Sequence, residues 1–253
     1  MIRFEGVTKR FGKKVVLDRL DLEIPTGSTT AIIGLSGSGK SVALKHVAGL
    51  LTPDEGSVTV DGAVVHELDA DALRDLRARI GYVFQFAALL DSLTVGDNIR
   101  LGFRRRDIDP EEVERRVRKS LAVVELTEAM DSFPADLSGG MRKRIGIARA
   151  MALAPDYILF DEPTTGLDPV TTATMDHMML RVRRDSGATC VIVSHDMQSV
   201  FGVADRIAML HDGRIRQVGS AEEMRSSDDP IVRDFIAGRT DAFLSAGTKG
   251  IPS

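Results

Sequence analysis

The chain has 253 residues, a formal net charge of −4 and a sequence pI of about 5.8, which excludes the global basic field that attracts nucleic acid, so we expect no nucleic-acid partner. Its one cysteine excludes an internal disulfide framework and suits a reducing compartment. No apolar run approaches the roughly 18 residues that span a bilayer, and no secretory signal is visible. We therefore expect a soluble, cytosolic protein whose role at a membrane would come through partners.

Short alternating runs at the start of the chain favour strands. Residues 2–25 alternate apolar and polar side chains with Gly6 and Gly12 as breakers, which is typical of antiparallel strands. An Asp-Gly pair at 61–62 between two apolar runs predicts a hairpin, because it tolerates the positive φ of a type I′ turn. Between these segments, residues 30–33 predict a strand that leads into a glycine-rich loop and then a helix from about residue 40 to 50.

The glycine-rich loop, Gly-Leu-Ser-Gly-Ser-Gly-Lys-Ser at residues 34–41, has the spacing of a phosphate-binding loop. Its glycines allow successive backbone N–H groups to surround phosphates, and the helix N-terminus adds roughly half a positive charge. Lys40 is expected to neutralise the β- and γ-phosphates, and Ser41 to ligate Mg²⁺. The strand before the loop and the helix after it favour this function over a chance glycine-rich turn.

The chain changes character between about residues 87 and 154, where the helical period dominates. One helix is expected to begin at Asp109 and Pro110, with Glu112 reaching back to complete the cap. Glutamates and arginines then pair four residues apart, at 111 and 115, 112 and 116, and 114 and 118. We interpret this charged face as solvated surface and not as a binding tract.

The last third of the chain alternates strands with helices. Apolar strands are predicted at 157–160, 189–193 and 207–210, with helices near 170–184 and 198–204, a pattern that implies a parallel sheet covered on both faces. A second hairpin is predicted at 211–214, and residues 241–253 read as a flexible C-terminal tail.

Polar residues stand at the ends of these strands, where a parallel α/β sheet forms its ligand crevice. Asp161 and Glu162 follow an apolar strand; Asp161 is expected to hold the metal, and Glu162 to act as the general base that polarises water. His195 ends another strand and is expected to contact the γ-phosphate. Gln85, before the helical region, is expected to contact Mg²⁺ and water. Taken alone, each could be an ordinary surface or strand-end group; together with the phosphate loop, they favour a nucleotide site.

The sequence Leu-Ser-Gly-Gly at 137–140 opens a helix and forms a second candidate anion site, because two glycines permit close backbone approach and Ser138 adds a hydroxyl. The chain already has a phosphate loop for its own nucleotide. A second anion site is therefore expected to serve the ATP of another copy, which predicts a head-to-tail dimer that closes on two ATP molecules.

With these motifs in order, residues 1 to about 240 resemble the ATPase subunit of ABC transporters. The resemblance implies an α/β fold, a P-loop NTPase cassette with a mostly parallel core sheet, an antiparallel β-subdomain and an inserted helical subdomain at about 87–154. It also implies that Phe11 stacks on adenine, that Asp168 belongs to a loop contacting the opposite subunit, and that the groove from Gln85 to Val95 receives a permease helix. Met141 departs from the glutamine commonest in the signature, which puts a ribose contact there in doubt.

The residues expected to act in the ATP·Mg²⁺ site fall into three groups. The catalytic ones are Glu162, His195 and Lys40. Those predicted to contact the nucleotide are Phe11, Gly34, Ser36, Gly37, Ser38, Gly39, Lys40, Ser41, Val42, Gln85, Ser138, Gly139, Gly140 and Asp168. The metal ligands are Ser41, Gln85 and Asp161.

A narrower resemblance is to the Mla-type ATPases, on the strings at residues 39–46, 84–95, 137–144 and 229–235. It implies phospholipid trafficking with a membrane permease and an MCE-domain lipid-binding protein, at the cytoplasmic face of the bacterial inner membrane. Whether a small regulatory subunit also binds is left open by the sequence. Met141 is ordinary in that subfamily. An importer of small polar solutes and a soluble non-transport ABC ATPase remain alternatives.

Overall fold

The structure is a computed structural model that describes residues 1–104 and 106–239, so the predicted tail at 241–253 lies outside the described residues. The strands are β1 (Ile2–Phe11), β2 (Lys14–Ile24), β3 (Thr29–Ile33), β4 (Glu55–Val60), β5 (Ala63–Val64), β6 (Ile80–Val83), β7 (Tyr157–Asp161), β8 (Thr189–Val193), β9 (Arg206–His211) and β10 (Arg214–Gly219). The helices are α1 (Lys40–Val47), α2 (Ala70–Ala78), α3 (Val95–Arg100), α4 (Pro110–Val123), α5 (Gly139–Met151), α6 (Pro169–Ser186), α7 (Met197–Val203), α8 (Ala221–Arg225) and α9 (Pro230–Ile236).

Two sheets organise these elements. The larger has the order β10-β9-β3-β8-β7-β6, and its strands run parallel except for β10, which pairs antiparallel with β9. The smaller has the order β2-β1-β4-β5 and is antiparallel throughout. The predicted fold class, a mostly parallel core sheet with an antiparallel β part, is confirmed.

The parallel sheet separates two apolar cores. Every residue of β3, β7 and β8 is buried, as expected for strands covered on both faces. Because side chains alternate across a strand, Ile32 and Leu159 pack with α1 and the antiparallel sheet, whereas Ile33 and Phe160 pack with the helices on the other face. Each fully buried side chain of this size contributes roughly 1.5–3 kcal/mol to stability.

Both predicted hairpins are confirmed by their backbone angles. Asp61 and Gly62 have φ values of 50° and 83°, and Asp212 and Gly213 have values of 48° and 76°, the left-handed pair that a type I′ turn requires. The prediction that Gly6 breaks a strand is wrong. Gly6, with φ of 58°, lies inside β1 at a register shift, so it forms a bulge that bends the strand without ending it.

The segment between β6 and β7 contains α3, α4 and α5, as the helical period predicts. Asp109 caps α4 by accepting a hydrogen bond from the Glu111 N–H at 2.7 Å. The predicted cap role of Glu112 is wrong, because its carboxylate instead accepts hydrogen bonds from Arg115 and Arg116. Arg115 therefore pairs with Glu112 and not with Glu111. Among the described residues, no helix is both long and apolar enough to cross a membrane.

Sequence reasoning missed β6 and α2. Only four residues long, β6 contains a glycine, so it lacks the length and alternation of a recognisable strand. That glycine is required by packing, because a Cβ on Gly81 would lie 2.8 Å from the Ala150 carbonyl oxygen of α5. As the edge strand beside β7, β6 brings Gln85 to the carboxyl edge of the sheet.

Candidate nucleotide-binding site

The glycine-rich loop joins β3 to α1, and two of its glycines cannot be replaced without movement of the backbone. Gly34 has φ of 152°, and a Cβ there would lie 2.3 Å from the Leu210 carbonyl oxygen. Gly39, at the N-cap of α1 with φ of 109°, would place a Cβ 2.9 Å from the Val16 carbonyl oxygen. The loop therefore runs close to the backbone of both β2 and β9, where only glycine fits at these two positions. The N-terminus of α1 follows directly after the loop.

Lys40, the first residue of α1, is 5% exposed. Its ammonium donates hydrogen bonds to the carbonyl oxygens of Gly34 at 2.9 Å and Leu35 at 3.0 Å, and lies 3.8 Å from Glu162 Oε1. Burial lowers the pKa of Lys40, and the negative charges of Glu162 and Asp161 oppose that shift. The loop therefore holds its cation beside the carboxylates that end β7.

Asp161 is the centre of a second set of contacts. It is 6% exposed and accepts hydrogen bonds from the hydroxyls of Ser41 at 2.6 Å and Tyr82 at 3.0 Å. The predicted metal ligands Ser41 and Asp161 thus adjoin, with oxygen atoms of the kind Mg²⁺ prefers. Tyr82, on β6, was missed by sequence reasoning. Burial and the Asp161 charge raise the pKa of Tyr82, which keeps the phenol a donor that orients the carboxylate.

Glu162 is oriented by two neighbours. Its Oε2 accepts a hydrogen bond from the Thr165 hydroxyl at 2.8 Å and lies 2.8 Å from His195 Nδ1. The Glu162 side chain is only 12% exposed, whereas that of His195 is 56% exposed. The end of β8 thus brings His195 to the candidate base at the end of β7. Thr165 was not predicted, because its contact depends on the turn after Glu162. That turn places the Thr165 hydroxyl beside the Glu162 carboxylate.

A cavity of about 720 Å³ opens at this edge of the sheet, within the size range of ligand pockets. Its lining includes most of the predicted residues: Phe11, Gly34, Ser36, Gly37, Gly39, Lys40, Ser41, Val42, Gln85, Glu162 and His195. Phe11 is 49% exposed, and Phe235 of α9, which was not predicted, faces the same cavity. The hydroxyl of Ser38 is buried without a hydrogen-bond partner among the described residues, so the loop fits a phosphate that would accept from it.

Six predicted residues are absent from that lining: Ser38 and Asp161, which belong to the loop and to the Ser41 contact described above, and Ser138, Gly139, Gly140 and Asp168. Ser138 is the exposed N-cap of α5 and accepts a hydrogen bond from the Met141 N–H at 3.2 Å. Asp168 caps α6 by accepting from two backbone N–H groups at 3.0 Å. The Met141 side chain packs against the helical core. Ser138, Asp168 and Met141 therefore make their contacts outside the nucleotide cavity of their own chain.

The metal site depends on more than side-chain carboxylates. Within residues 1–104 and 106–239, no group of three or more His, Cys, Asp or Glu side chains is arranged to hold an ion. Mg²⁺ usually binds one or two protein oxygens together with phosphates and water. The pair Ser41 and Asp161 fits that pattern, in which the nucleotide completes the coordination.

This geometry defines a P-loop nucleotide-binding fold, and comparison with known proteins identifies its family. Residues 17–165, more than half of the chain, match the profile described as ABC transporter. The chain therefore belongs to the ATP-binding cassettes of ABC transporters, which bind ATP with Mg²⁺ and hydrolyse it.

Similar proteins carry several transport names. The "probable ribonucleotide transport ATP-binding protein mkl" of Mycobacterium tuberculosis is 39% identical over 239 residues, 94% of this chain and 67% of that protein. The sulfate/thiosulfate import protein CysA of the same species is 42% identical, over 86% of this chain and 60% of that protein. The methionine import ATP-binding protein MetN of Corynebacterium diphtheriae is 38% identical, over 93% of this chain and 71% of that protein.

A solved structure supports the same conclusion. The ATP-binding cassette MJ0796, a dimer in a post-hydrolysis state bound to ADP and Pi, is 33% identical, with a TM-score of 0.80 over 87% of this chain and 99% of that one. The fold, the binding of ATP and the hydrolytic activity that the sequence predicts are thus confirmed.

Proposed function

We propose that this chain dimerises head to tail around two ATP·Mg²⁺ and uses their hydrolysis to drive a membrane permease. The observation that carries the proposal is the separation of the two anion sites. Lys40 and Glu162 line the cavity, whereas Ser138 stands exposed at the start of α5 and outside that lining. A second copy of the chain supplies the Ser138 that each cavity lacks. In a head-to-tail dimer with two-fold symmetry, each copy offers its Ser138 to the cavity of the other.

Each residue then has a defined task in hydrolysis. Glu162 accepts a proton from the attacking water, and its neighbour His195 keeps the carboxylate oriented and reaches the γ-phosphate. Lys40 and the N-terminus of α1 stabilise the charge that develops on the phosphoryl oxygens. Ser41, Asp161 and Gln85 would hold Mg²⁺, which would supply positive charge to neutralise the phosphates when it is bound.

Complementation between two inactive variants tests the head-to-tail arrangement. Lys40→Ala removes the phosphate-binding ammonium, and Ser138→Arg fills the opposite anion site. A mixed dimer of the two retains one intact site, so mixing equal amounts is expected to restore roughly a quarter of wild-type turnover. Failure of the mixture to exceed either variant alone would refute the shared site, and full activity of a monomer held apart would do so as well.

The segment after Gln85 is the proposed docking surface for the permease. Phe86 is 81% exposed and Leu90 is 51% exposed. Beneath them the side chain of Asn98, which is fully buried, accepts from the Leu90 N–H at 2.7 Å and donates to the carbonyl oxygens of Leu90, Leu93 and Thr94. These hydrogen bonds hold the loop in a conformation that presents two apolar side chains to a membrane partner.

We infer that the transported substrate is phospholipid, handled with an MCE-domain partner, and that the chain acts at the cytoplasmic face of the inner membrane. The support is the resemblance of the strings at 39–46, 84–95, 137–144 and 229–235 to Mla-type ATPases. The Met141 side chain is partly buried against the helical core, so the departure from glutamine leaves the Ser138 hydroxyl and the backbone of this turn to form the anion site.

The second candidate is import of a small polar solute, favoured by the names of relatives that act on ribonucleotide, sulfate and methionine. The two are distinguished by purifying the chain with its permease and assaying the reconstituted complex. Phospholipid enriched over a detergent blank, with ATPase activity stimulated by a lipid-loaded partner, is expected. Stimulation by a polar solute and its binding protein would overturn the lipid proposal. Purification of the chain in a strictly soluble complex would overturn the transport role.

A further inference from the structure

The ammonium of Lys143, on α5, is partly buried against the loop that follows Glu162. It donates hydrogen bonds to the carbonyl oxygens of Thr165 at 2.6 Å and Pro163 at 3.0 Å, with a longer contact to the Glu162 carbonyl at 3.4 Å. A lysine has three N–H donors, and all of them are used on one short segment. Burial lowers the pKa of Lys143, and the Glu162 charge opposes that shift.

The loop that Lys143 contacts has an unfavourable backbone. Glu162 has φ of 51°, in the left-handed region that residues other than glycine rarely adopt. Its N–H donates to the Val193 carbonyl at 2.9 Å, and the Thr165 N–H donates back to the Glu162 carbonyl at 3.3 Å. A non-glycine residue persists in this conformation only when its surroundings hold it there. Lys143 is the side chain that joins three carbonyls of this loop from outside it.

The position of Lys143 on its helix connects two sites. The helix α5 begins after Ser138, and Lys143 lies five residues further, about 7.5 Å along the axis. The same helix therefore carries Ser138, which is offered to the partner's ATP, and Lys143, which hydrogen-bonds the loop that begins with Glu162. Movement at the N-terminus of α5 would be transmitted to the base of the same chain.

We propose that Lys143 is a positioning residue for hydrolysis, which holds Glu162 in its productive conformation and couples it to the Ser138 site of the same chain. The inference rests on the proposed role of Glu162 as base and on the head-to-tail dimer. Lys143 is not among the described residues that line the nucleotide cavity. It acts through the backbone of residues 162–165, so its loss changes the geometry of the base and leaves the phosphate loop intact.

The test compares Lys143→Met, which keeps the length of the side chain and removes its donors, with Lys119→Met, the same change at an exposed lysine of α4. For Lys143→Met we expect kcat for ATP to fall roughly ten- to 100-fold, with KM and ATP affinity within about twofold of wild type. Lys143→Arg, which restores donors, is expected to recover much of the lost kcat, and Lys119→Met to match wild type. A wild-type kcat for folded Lys143→Met would overturn the proposal. An equal loss of ATP affinity would overturn it too, because that is the result of a general structural role.

A double-mutant cycle with Glu162→Gln tests whether Lys143 acts through the base. Because Glu162→Gln already removes the base, adding Lys143→Met is expected to lower single-turnover hydrolysis no further. Losses that multiply would overturn the coupling to Glu162. Wild-type turnover of Glu162→Gln alone would instead refute the proposed base, which is a separate failure. If Lys143→Met does not fold, Lys143→Gln decides: a several-fold lower kcat is expected, and a wild-type kcat overturns the proposal.

Discussion

The two edges of the parallel sheet both collect charged groups, but they arrange them differently. At the carboxyl edge, Lys40 and Glu162 face a cavity and lie 3.8 Å apart. At the amino edge, Asp61 accepts hydrogen bonds from the amino terminus, Tyr157 and Arg79, and Arg79 also donates to Asp156. These charges around Asp61 and Arg79 are thus matched by direct partners.

A cavity of about 680 Å³ also opens at the amino edge, beside Arg79 and Tyr157, so the presence of a cavity does not by itself distinguish the two edges. The difference lies in the groups that face it. The carboxyl edge combines a left-handed Glu162, a helix N-terminus and the buried hydroxyl of Ser38, which has no hydrogen-bond partner in the described part of the chain; this combination suits a phosphate ligand. The amino edge has ion pairs that satisfy one another and stabilise the fold.

The largest effect is expected at the carboxyl edge. Glu162→Gln should lower kcat about 100- to 10,000-fold, because an amide cannot accept the proton of water, while ATP still binds. Steady-state hydrolysis and a nucleotide titration measure the two quantities. Glu67→Gln, the same change at an exposed glutamate, is the control and should match wild type. Near-normal turnover of Glu162→Gln would refute the assigned base.

Lys40→Ala should weaken ATP binding by about tenfold or more, because it removes a buried ammonium that would bond to phosphate oxygens. Calorimetric titration with ATP measures the change in affinity, with Lys119→Ala as the exposed control. Unchanged affinity would remove Lys40 from the binding role. It would also weaken the contrast between the two edges.

At the amino edge the expected effect is on stability. Hydrogen bonds from the amino terminus, Tyr157 and Arg79 lower the pKa of Asp61 below its usual range. A lowered carboxyl pKa contributes stability above the unfolded pKa, near 3.9, and this contribution is lost as pH falls toward the folded pKa. Because Asp61 is partly exposed, Asp61→Asn should cost only about 1 kcal/mol at pH 7, and the difference should narrow below pH 4. Urea unfolding at both pH values measures it; a difference that grows on acidification would contradict the argument.

The smallest effect concerns the strands between the edges. Cys190, on β8, is 1% exposed, and burial raises its pKa to about 12. The folded protein should therefore not react with a thiol reagent at pH 8 over minutes, whereas the protein unfolded in guanidinium should react fully. Rapid labelling of the folded chain would indicate that the sheet opens more readily than its packing implies.

Much of the site could be predicted because its signals are local in the chain. The spacing of Gly34 and Gly39 before Lys40 encodes a loop and a helix start within a few residues, and Asp-Gly pairs encode their own turns. The cap assigned to Glu112 failed because nearby arginines offered charge-assisted donors that compete with a backbone N–H.

The sequence by itself determined the class of the protein, its phosphate loop, the residues that end its buried strands and the separate Ser-Gly-Gly helix start. These depend on residue type and short-range spacing. Only the tertiary structure decided that Tyr82 holds Asp161 and that Lys143 holds the loop after Glu162. The partners in these contacts are 79 and 22 residues apart, and no periodicity encodes a contact between elements that meet only when the sheet and its helices pack.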